Sequence, residues 1–115
     1  KGIRTSIFVN PEINMIKGAQ SVGADRIELY TEPYAVKYEK DRDLAIKPYI
    51  EASEKANDLG LGVNAGHDLS LENIEFFSKK IPNLIEVSIG HALICESLYL
   101  GLENVIPMYI GKIKK

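Results

Sequence analysis

The sequence predicts an α/β fold built from four strand–helix units. Short runs rich in β-branched and aromatic residues alternate with longer amphipathic segments, and most connections between them are short. Such alternation is typical of a parallel sheet with helical crossovers. A complete (β/α)8 barrel takes about 250 residues, so four units in 115 residues predict half of a barrel. A small open sheet is the alternative, and its helices would have to cover both faces.

The first strand and helix are marked by composition and by a helix start. Residues 4–9 include β-branched and aromatic side chains, and Asn10 then offers an N-cap with Pro11 at the first helical position. Apolar residues at three-residue spacing predict a helix that Gly23 ends. Residues 26–30 form the second predicted strand.

A charged loop and a longer helix follow the second strand. The loop is predicted over residues 31–43, and the helix over residues 44–59. Pro48 has no backbone N–H to donate inside this helix, so either the helix kinks or it begins near Lys47. Residues 61–65 form the third predicted strand.

The last two units follow the same pattern. Residues 70–81 place apolar side chains on one helical face, and Pro82 prevents the helix from continuing. Residues 84–89 form the fourth strand. Short helices are predicted over residues 91–100 and 103–113. Since no linker or low-complexity stretch divides the chain, we expect a single structural segment.

Composition and charge argue against several classes of protein. The formal net charge is −2 at pH 7, and the charges are scattered, so nothing in it attracts nucleic acid or a membrane surface. One cysteine, Cys95, excludes an intramolecular disulfide and suits a reducing cytoplasm. No apolar run approaches the roughly 20 residues of a membrane span. The first residue is Lys1 rather than Met, which suggests a fragment.

Both histidines of the chain follow a glycine at the end of a predicted strand. Gly66-His67 follows the third strand, and Gly90-His91 follows the fourth. Ligands of parallel α/β folds bind at the carboxyl ends of the strands, so the two pairs predict one composite anion or substrate site. Glycine lets a ligand approach the backbone, and N–H groups at a helix start can bind an oxyanion. A lone histidine there is more often structural, but two successive pairs favour function.

Acidic side chains lie close to the same strand ends. Glu28 shares one side of its strand with Arg26 and would point into the barrel, where a carboxylate needs a partner or a catalytic role. An ion pair with Arg26 or an absent arginine is therefore the alternative to a functional Glu28. Asp68 follows His67 directly. No HxH or HExxH spacing supports a metal site, so we expect no metal.

Four segments of the chain read RTSIFVNPE, GADRIELYTEPYA, LGLGVNAGHDL and IEVSIGHALI. They resemble the second half of the pyridoxine 5′-phosphate synthase family, and the resemblance runs through essentially the whole chain. It implies strands 5–8 of a TIM barrel, a (β/α)8 fold, with the first half absent. The complete enzyme of this family is a homo-octamer without cofactor or metal. It condenses 1-deoxy-D-xylulose 5-phosphate with 3-amino-2-oxopropyl phosphate, giving pyridoxine 5′-phosphate, phosphate and water.

The resemblance also implies roles for individual residues. His67 matches a general acid, and Glu28 matches a glutamate that stabilises a transition state. Asp68, Gly90 and His91 match positions that bind substrate or product, with backbone N–H groups around phosphate. The family's two bases lie on first-half strands, so this chain alone is expected to be inactive. A phosphate-binding half-barrel without catalysis and another phosphate-handling barrel enzyme are the alternatives.

Overall fold

A computed structural model describes residues 2–114, which form strands and helices in alternation. The strands are β1 (Ser6–Val9), β2 (Arg26–Tyr30), β3 (Gly62–His67) and β4 (Leu84–Ile89). The helices are α1 (Ile13–Ser21), α2 (Glu32–Tyr38), α3 (Arg42–Asp58), α4 (Ile74–Lys80), α5 (His91–Leu100) and α6 (Leu102–Ile113). None of these helices is both long and apolar enough to cross a membrane.

The four strands form one parallel sheet in the order β1-β2-β3-β4, as the alternating pattern predicts. Alternate side chains, such as Ile27 and Leu29 of β2 and Val63 of β3, are fully buried on the helix-covered face. The opposite face stays open, and Phe8 on it is 49% exposed. Helices on one face only are what half of a barrel requires, so the open-sheet alternative is wrong.

An aromatic cluster fills the core between the sheet and helices α2, α3 and α4. The rings of Tyr34, Tyr49 and Phe77 are fully buried and meet edge to face, with centroids 5.0 to 6.0 Å apart. Both hydroxyls have backbone acceptors. Tyr34 donates to the Asn73 carbonyl and Tyr49 to the Tyr30 carbonyl, each at 2.6 Å. The second contact ties the core directly to the carboxyl end of β2.

The predicted start of the first helix is wrong. The helix begins at Ile13, and Glu12 occupies the N-cap position without a side-chain cap. Pro11 lies in the preceding turn, where the Glu12 N–H donates to the Asn10 carbonyl at 2.7 Å. Asn10 therefore shapes the turn through its main chain instead of capping α1.

Helix α2 occupies part of the segment predicted as a charged loop, so that prediction is wrong as well. Pro33 stands in its first turn, where proline is tolerated because the missing N–H needs no partner. Tyr34 and Tyr38 lie one turn apart with ring centroids separated by 5.6 Å. The packing of these two rings stabilises a helix in this segment despite its charged residues.

Helix α3 begins earlier than predicted and runs through its proline. Asp41 caps it by accepting a hydrogen bond from the Leu44 N–H at 3.1 Å. The alternative start near Lys47 is therefore wrong. Pro48 is exposed, and α3 continues on both sides of it as one helix.

Candidate active site

The two Gly-His pairs lie side by side at the carboxyl edge of the sheet. His67 is the last residue of β3 and pairs with Ile89, the last residue of β4, which Gly90 follows. β3 extends two residues beyond the predicted strand, so Gly66 and His67 belong to the sheet and not to the turn. β4 and α5 have the predicted bounds. The fold thus brings both predicted pairs to one edge.

His67 faces a carboxylate across two neighbouring strands. Its Nε2 lies 3.4 Å from Glu28 Oε2, and the two side chains are 57% and 19% exposed. The Phe8 ring flanks the imidazole at a centroid distance of 5.4 Å and contacts Tyr30 at the same distance. The arrangement presents an accessible imidazole above a half-buried carboxylate, a pair suited to proton transfer.

Arg26 pairs with a carboxylate other than Glu28. Its Nη1 lies 2.8 Å from Glu86 Oε1 and donates at 3.4 Å to Asn64 Oδ1. Arg4 adds a longer contact to Glu86 at 3.6 Å. The alternative prediction of an ion pair between Glu28 and Arg26 is therefore wrong. Glu28 instead faces His67.

Gly62 explains how Arg26 reaches β4. A Cβ at Gly62 would meet Arg26 Cγ at 2.8 Å and Ile85 Cδ1 at the same distance. The arginine side chain passes over β3 at Gly62, where that strand has no side chain to block it. This crossing directs Arg26 away from Glu28.

Gly66 is required by its neighbouring strand. A Cβ there would lie 2.5 Å from the Ser88 carbonyl oxygen, which is backbone and has little freedom to move. The sequence suggested that a glycine at position 66 lets a ligand approach the backbone. The structure shows that it allows β3 to pack closely against β4. Gly90 differs, since a Cβ there would meet no atom of residues 2–114 within 4 Å. Of these two glycines, Gly90 is the one that leaves room for a ligand at the backbone.

Thr31, which follows β2 directly, was not predicted as a site residue from the sequence. It is fully buried, and its N–H donates to the Gly66 carbonyl at 3.2 Å. Its Oγ1 accepts a hydrogen bond from the Asp68 N–H at 3.0 Å. A threonine at a strand end beside Glu28 was a usable signal, but its partners are 35 or more residues away in the sequence.

The bond to Thr31 bears on the predicted role of Asp68. The backbone N–H of Asp68 was the group expected to bind phosphate, and it already has an acceptor. The Asp68 residue itself is exposed beside His67. Binding of substrate by Asp68 therefore stays a prediction.

Helix α5 begins directly after Gly90, which has no side chain to cap it. The Ile94 N–H donates to the Gly90 carbonyl at 3.1 Å, and no acidic residue stands in the first turn. The first-turn N–H groups and the helix dipole favour an anion at such a helix start. The His91 ring lies along the helix, with Nε2 3.4 Å from Cys95 Sγ. Cys95 itself is half-buried.

Helix α5 is held in place by Glu96. The Glu96 carboxylate accepts from the Leu71 N–H at 3.2 Å and from the Tyr109 hydroxyl of α6. Burial, followed by the hydrogen bond to Glu96, raises the pKa of Tyr109 well above its usual value. Tyr109 is therefore a neutral donor, and Glu96 ties the middle of α5 to α6 and to the segment before α4.

Two tyrosines beneath the site have raised pKa values. Burial raises the pKa of Tyr49 to about 12. The hydrogen bond that Tyr30 donates to the Glu32 carboxylate raises the pKa of Tyr30, and desolvation adds to this effect. Both are neutral at physiological pH. Residues 2–114 contain no group of three or more His, Cys, Asp or Glu side chains that could hold a metal ion.

Comparison with known proteins decides the family. The family described as "Pyridoxal phosphate biosynthesis protein PdxJ" matches residues 1–115. The chain belongs to this family. It is 63% identical over 113 residues to pyridoxine 5′-phosphate synthase of Flavobacterium johnsoniae. The aligned region covers 98% of this chain and 48% of that protein. It is 58% identical over 114 residues to the same-named protein of Cytophaga hutchinsonii, covering 99% of this chain and 48% of the relative.

The PdxJ family match also accounts for the one-sided sheet. The chain spans about half the length of the curated relatives it matches. Four parallel strands with helices on one face are then half of a TIM barrel, as the sequence predicts.

Proposed function

We propose that the protein containing this chain is a pyridoxine 5′-phosphate synthase, a ring-closing transferase. It condenses 1-deoxy-D-xylulose 5-phosphate with 3-amino-2-oxopropyl phosphate, giving pyridoxine 5′-phosphate, phosphate and water. This chain supplies strands 5–8 of the barrel. The observation that carries the proposal is the His67–Glu28 contact at the carboxyl edge of the sheet, in a PdxJ-family chain whose similar relatives are named pyridoxine 5′-phosphate synthase.

His67 acts as the general acid in this proposal. More than half of its side chain is exposed, so a bound substrate can reach the ring. It donates a proton to a departing hydroxyl or phosphate oxygen. Glu28 faces Nε2 and keeps negative charge beside the ring, where it also stabilises a cationic amine or imine intermediate. Phe8 excludes water from one side of the pair.

Gly90 and His91 bind a substrate phosphate through the start of α5. Three features support this role: the open space at Gly90, the ten-residue length of α5 and the absence of acidic residues from its first turn. His91 contributes its backbone N–H, since its ring lies against Cys95. Asp68 belongs to the substrate-binding residues of this proposal and is exposed beside His67. A cytoplasmic location, a homo-octameric assembly and independence from cofactors complete the proposal.

The test uses the full-length protein with both substrates and measures pyridoxine 5′-phosphate formation. We expect turnover by the unchanged protein and a loss of about 10²–10⁴-fold in kcat for His67→Asn. The circular dichroism spectrum should stay the same. Glu28→Gln should also lower kcat, and Glu54→Gln on the exposed side of α3 serves as its matched control.

Near-normal turnover by a folded His67→Asn protein would refute the general-acid role. Binding of phosphate esters without product formation by the unchanged protein would instead support the non-catalytic alternative. Product from other phosphorylated substrates alone would support a different barrel enzyme.

A further inference from the structure

We propose that Thr31 is a positioning residue that holds His67 from both sides. Its N–H donates to the carbonyl of Gly66 at 3.2 Å, and its Oγ1 accepts from the N–H of Asp68 at 3.0 Å. These partners are the residues immediately before and after His67. A single buried threonine thus fixes the two backbone groups that set the direction of the His67 side chain.

The hydroxyl continues the strand pairing beyond the end of the ladder. β2 ends at Tyr30, whose sheet partner is Gly66. The Asp68 N–H lies past that pairing and finds its acceptor in the Thr31 side chain. Without that oxygen, a partly buried donor would lose its partner and the backbone after His67 would have to move.

The local position of Thr31 makes this contact unusual. Thr31 occupies the N-cap position of α2, where a threonine hydroxyl ordinarily accepts from the first turn of its own helix. Here it caps none of the described N–H groups of α2 and instead accepts from a residue 37 positions away. The hydroxyl thus serves the His67 backbone in place of its own helix.

Thr31 is itself fixed by its surroundings. The Ala35 N–H donates to its carbonyl at 3.0 Å, and Tyr49 holds the preceding Tyr30 carbonyl at 2.6 Å. The side chain has no exposed surface. The same buried part of the core therefore fixes Thr31 and, through it, the backbone on both sides of His67.

The first test is spectroscopic and independent of catalysis. The full-length protein is labelled with ¹³C at histidine Cε1, and the His67 signal is identified by its loss in His67→Asn. We expect Thr31→Val to shift or broaden the His67 signal at fixed pH and Thr31→Ser to leave it in place. The His91 signal is the internal control, because that ring lies on α5 against Cys95.

The second test is kinetic and rests on the proposed function. We expect Thr31→Val to lower kcat about tenfold or more with KM changed less than threefold, because the α5 phosphate site is untouched. Thr31→Ser should stay within twofold of the unchanged protein. A purely structural role would instead lower the amount of folded protein and leave kcat per folded molecule the same.

The outcomes separate this inference from the proposed function. If the unchanged protein forms no product, the proposed function fails and the His67 signal alone decides the role of Thr31. If Thr31→Val does not fold, Thr31→Ser and Thr31→Ala, which differ only by the hydroxyl, make the same comparison. The inference would be overturned if the His67 signal were unchanged in a folded variant without the hydroxyl. It would also be overturned if the His67 signal of Thr31→Ser differed from that of the unchanged protein.

Discussion

The two Gly-His pairs are the same dipeptide at successive strand ends, yet they lie in opposite surroundings. Gly66 is buried, packs against the Ser88 backbone and has its carbonyl bonded to Thr31. Gly90 is exposed, with open space where its side chain would be. His67 ends a strand, whereas His91 begins a helix.

The difference supports the separate roles proposed for the two pairs. A rigid, enclosed backbone holds one imidazole at a defined distance from Glu28, as proton transfer requires. An open helix start offers N–H groups to an anion, which needs space more than rigidity. The shared motif therefore predicts a common location and separate roles.

Gly66→Ala should disrupt the backbone of the Gly66-His67 pair and have the largest effect on stability. Its Cβ would lie 2.5 Å from the Ser88 oxygen, so β3 and β4 must separate. We expect a loss of about 3 kcal/mol or more in the free energy of unfolding, measured by chemical denaturation of the full-length protein. Gly90→Ala is the matched control, and we expect it to cost under about 1 kcal/mol. Equal losses at the two glycines would remove the distinction.

Alkaline pH should destabilise the fold through Tyr49, whose hydroxyl holds the carbonyl of Tyr30 at the end of β2. Burial raises its pKa from 10.0 to about 12, so the folded state favours the neutral hydroxyl. That contribution is complete below pH 10 and is lost as pH rises through 12. It amounts to roughly 3 kcal/mol.

Unfolding midpoints between pH 9 and 12 test this dependence on Tyr49. The unchanged protein should lose stability over the interval, and Tyr49→Phe should lose less. Tyr34 is also buried with a raised pKa, so part of the slope remains. An identical slope for Tyr49→Phe would show that Tyr49 does not carry the effect.

Gly90→Asp should weaken phosphate binding at the Gly90-His91 pair and have the smallest effect on the fold. Asp is a favoured N-cap residue and meets open space here, so stability should stay the same or rise slightly. Its negative charge at the α5 start should weaken inorganic phosphate binding tenfold or more, measured by calorimetry on the full-length protein. Gly90→Asn, which caps without the charge, is the control. Unchanged binding in Gly90→Asp would place the phosphate elsewhere.

The alternating pattern of the sequence was sufficient to predict the sheet, its parallel strands and the edge at which the two Gly-His pairs lie. β2, β4 and α5 have the predicted bounds because their apolar runs and flanking glycines act locally. Helix α2 and the hydrogen bonds of Thr31 were missed for one shared reason. Their stability comes from contacts with distant residues, such as Phe77 against Tyr34 and Asp68 against Thr31. The orientation of Arg26 depends in the same way on Gly62.

The passage of Arg26 over Gly62 has a consequence for how the sequence can change during evolution. A side chain at position 62 would block the arginine, and loss of the arginine would leave Glu86 with the longer Arg4 contact. Each single change is therefore costly while the other two residues remain. Positions 26, 62 and 86 should vary together among homologues, and a relative with a larger residue at 62 should have a shorter one at 26.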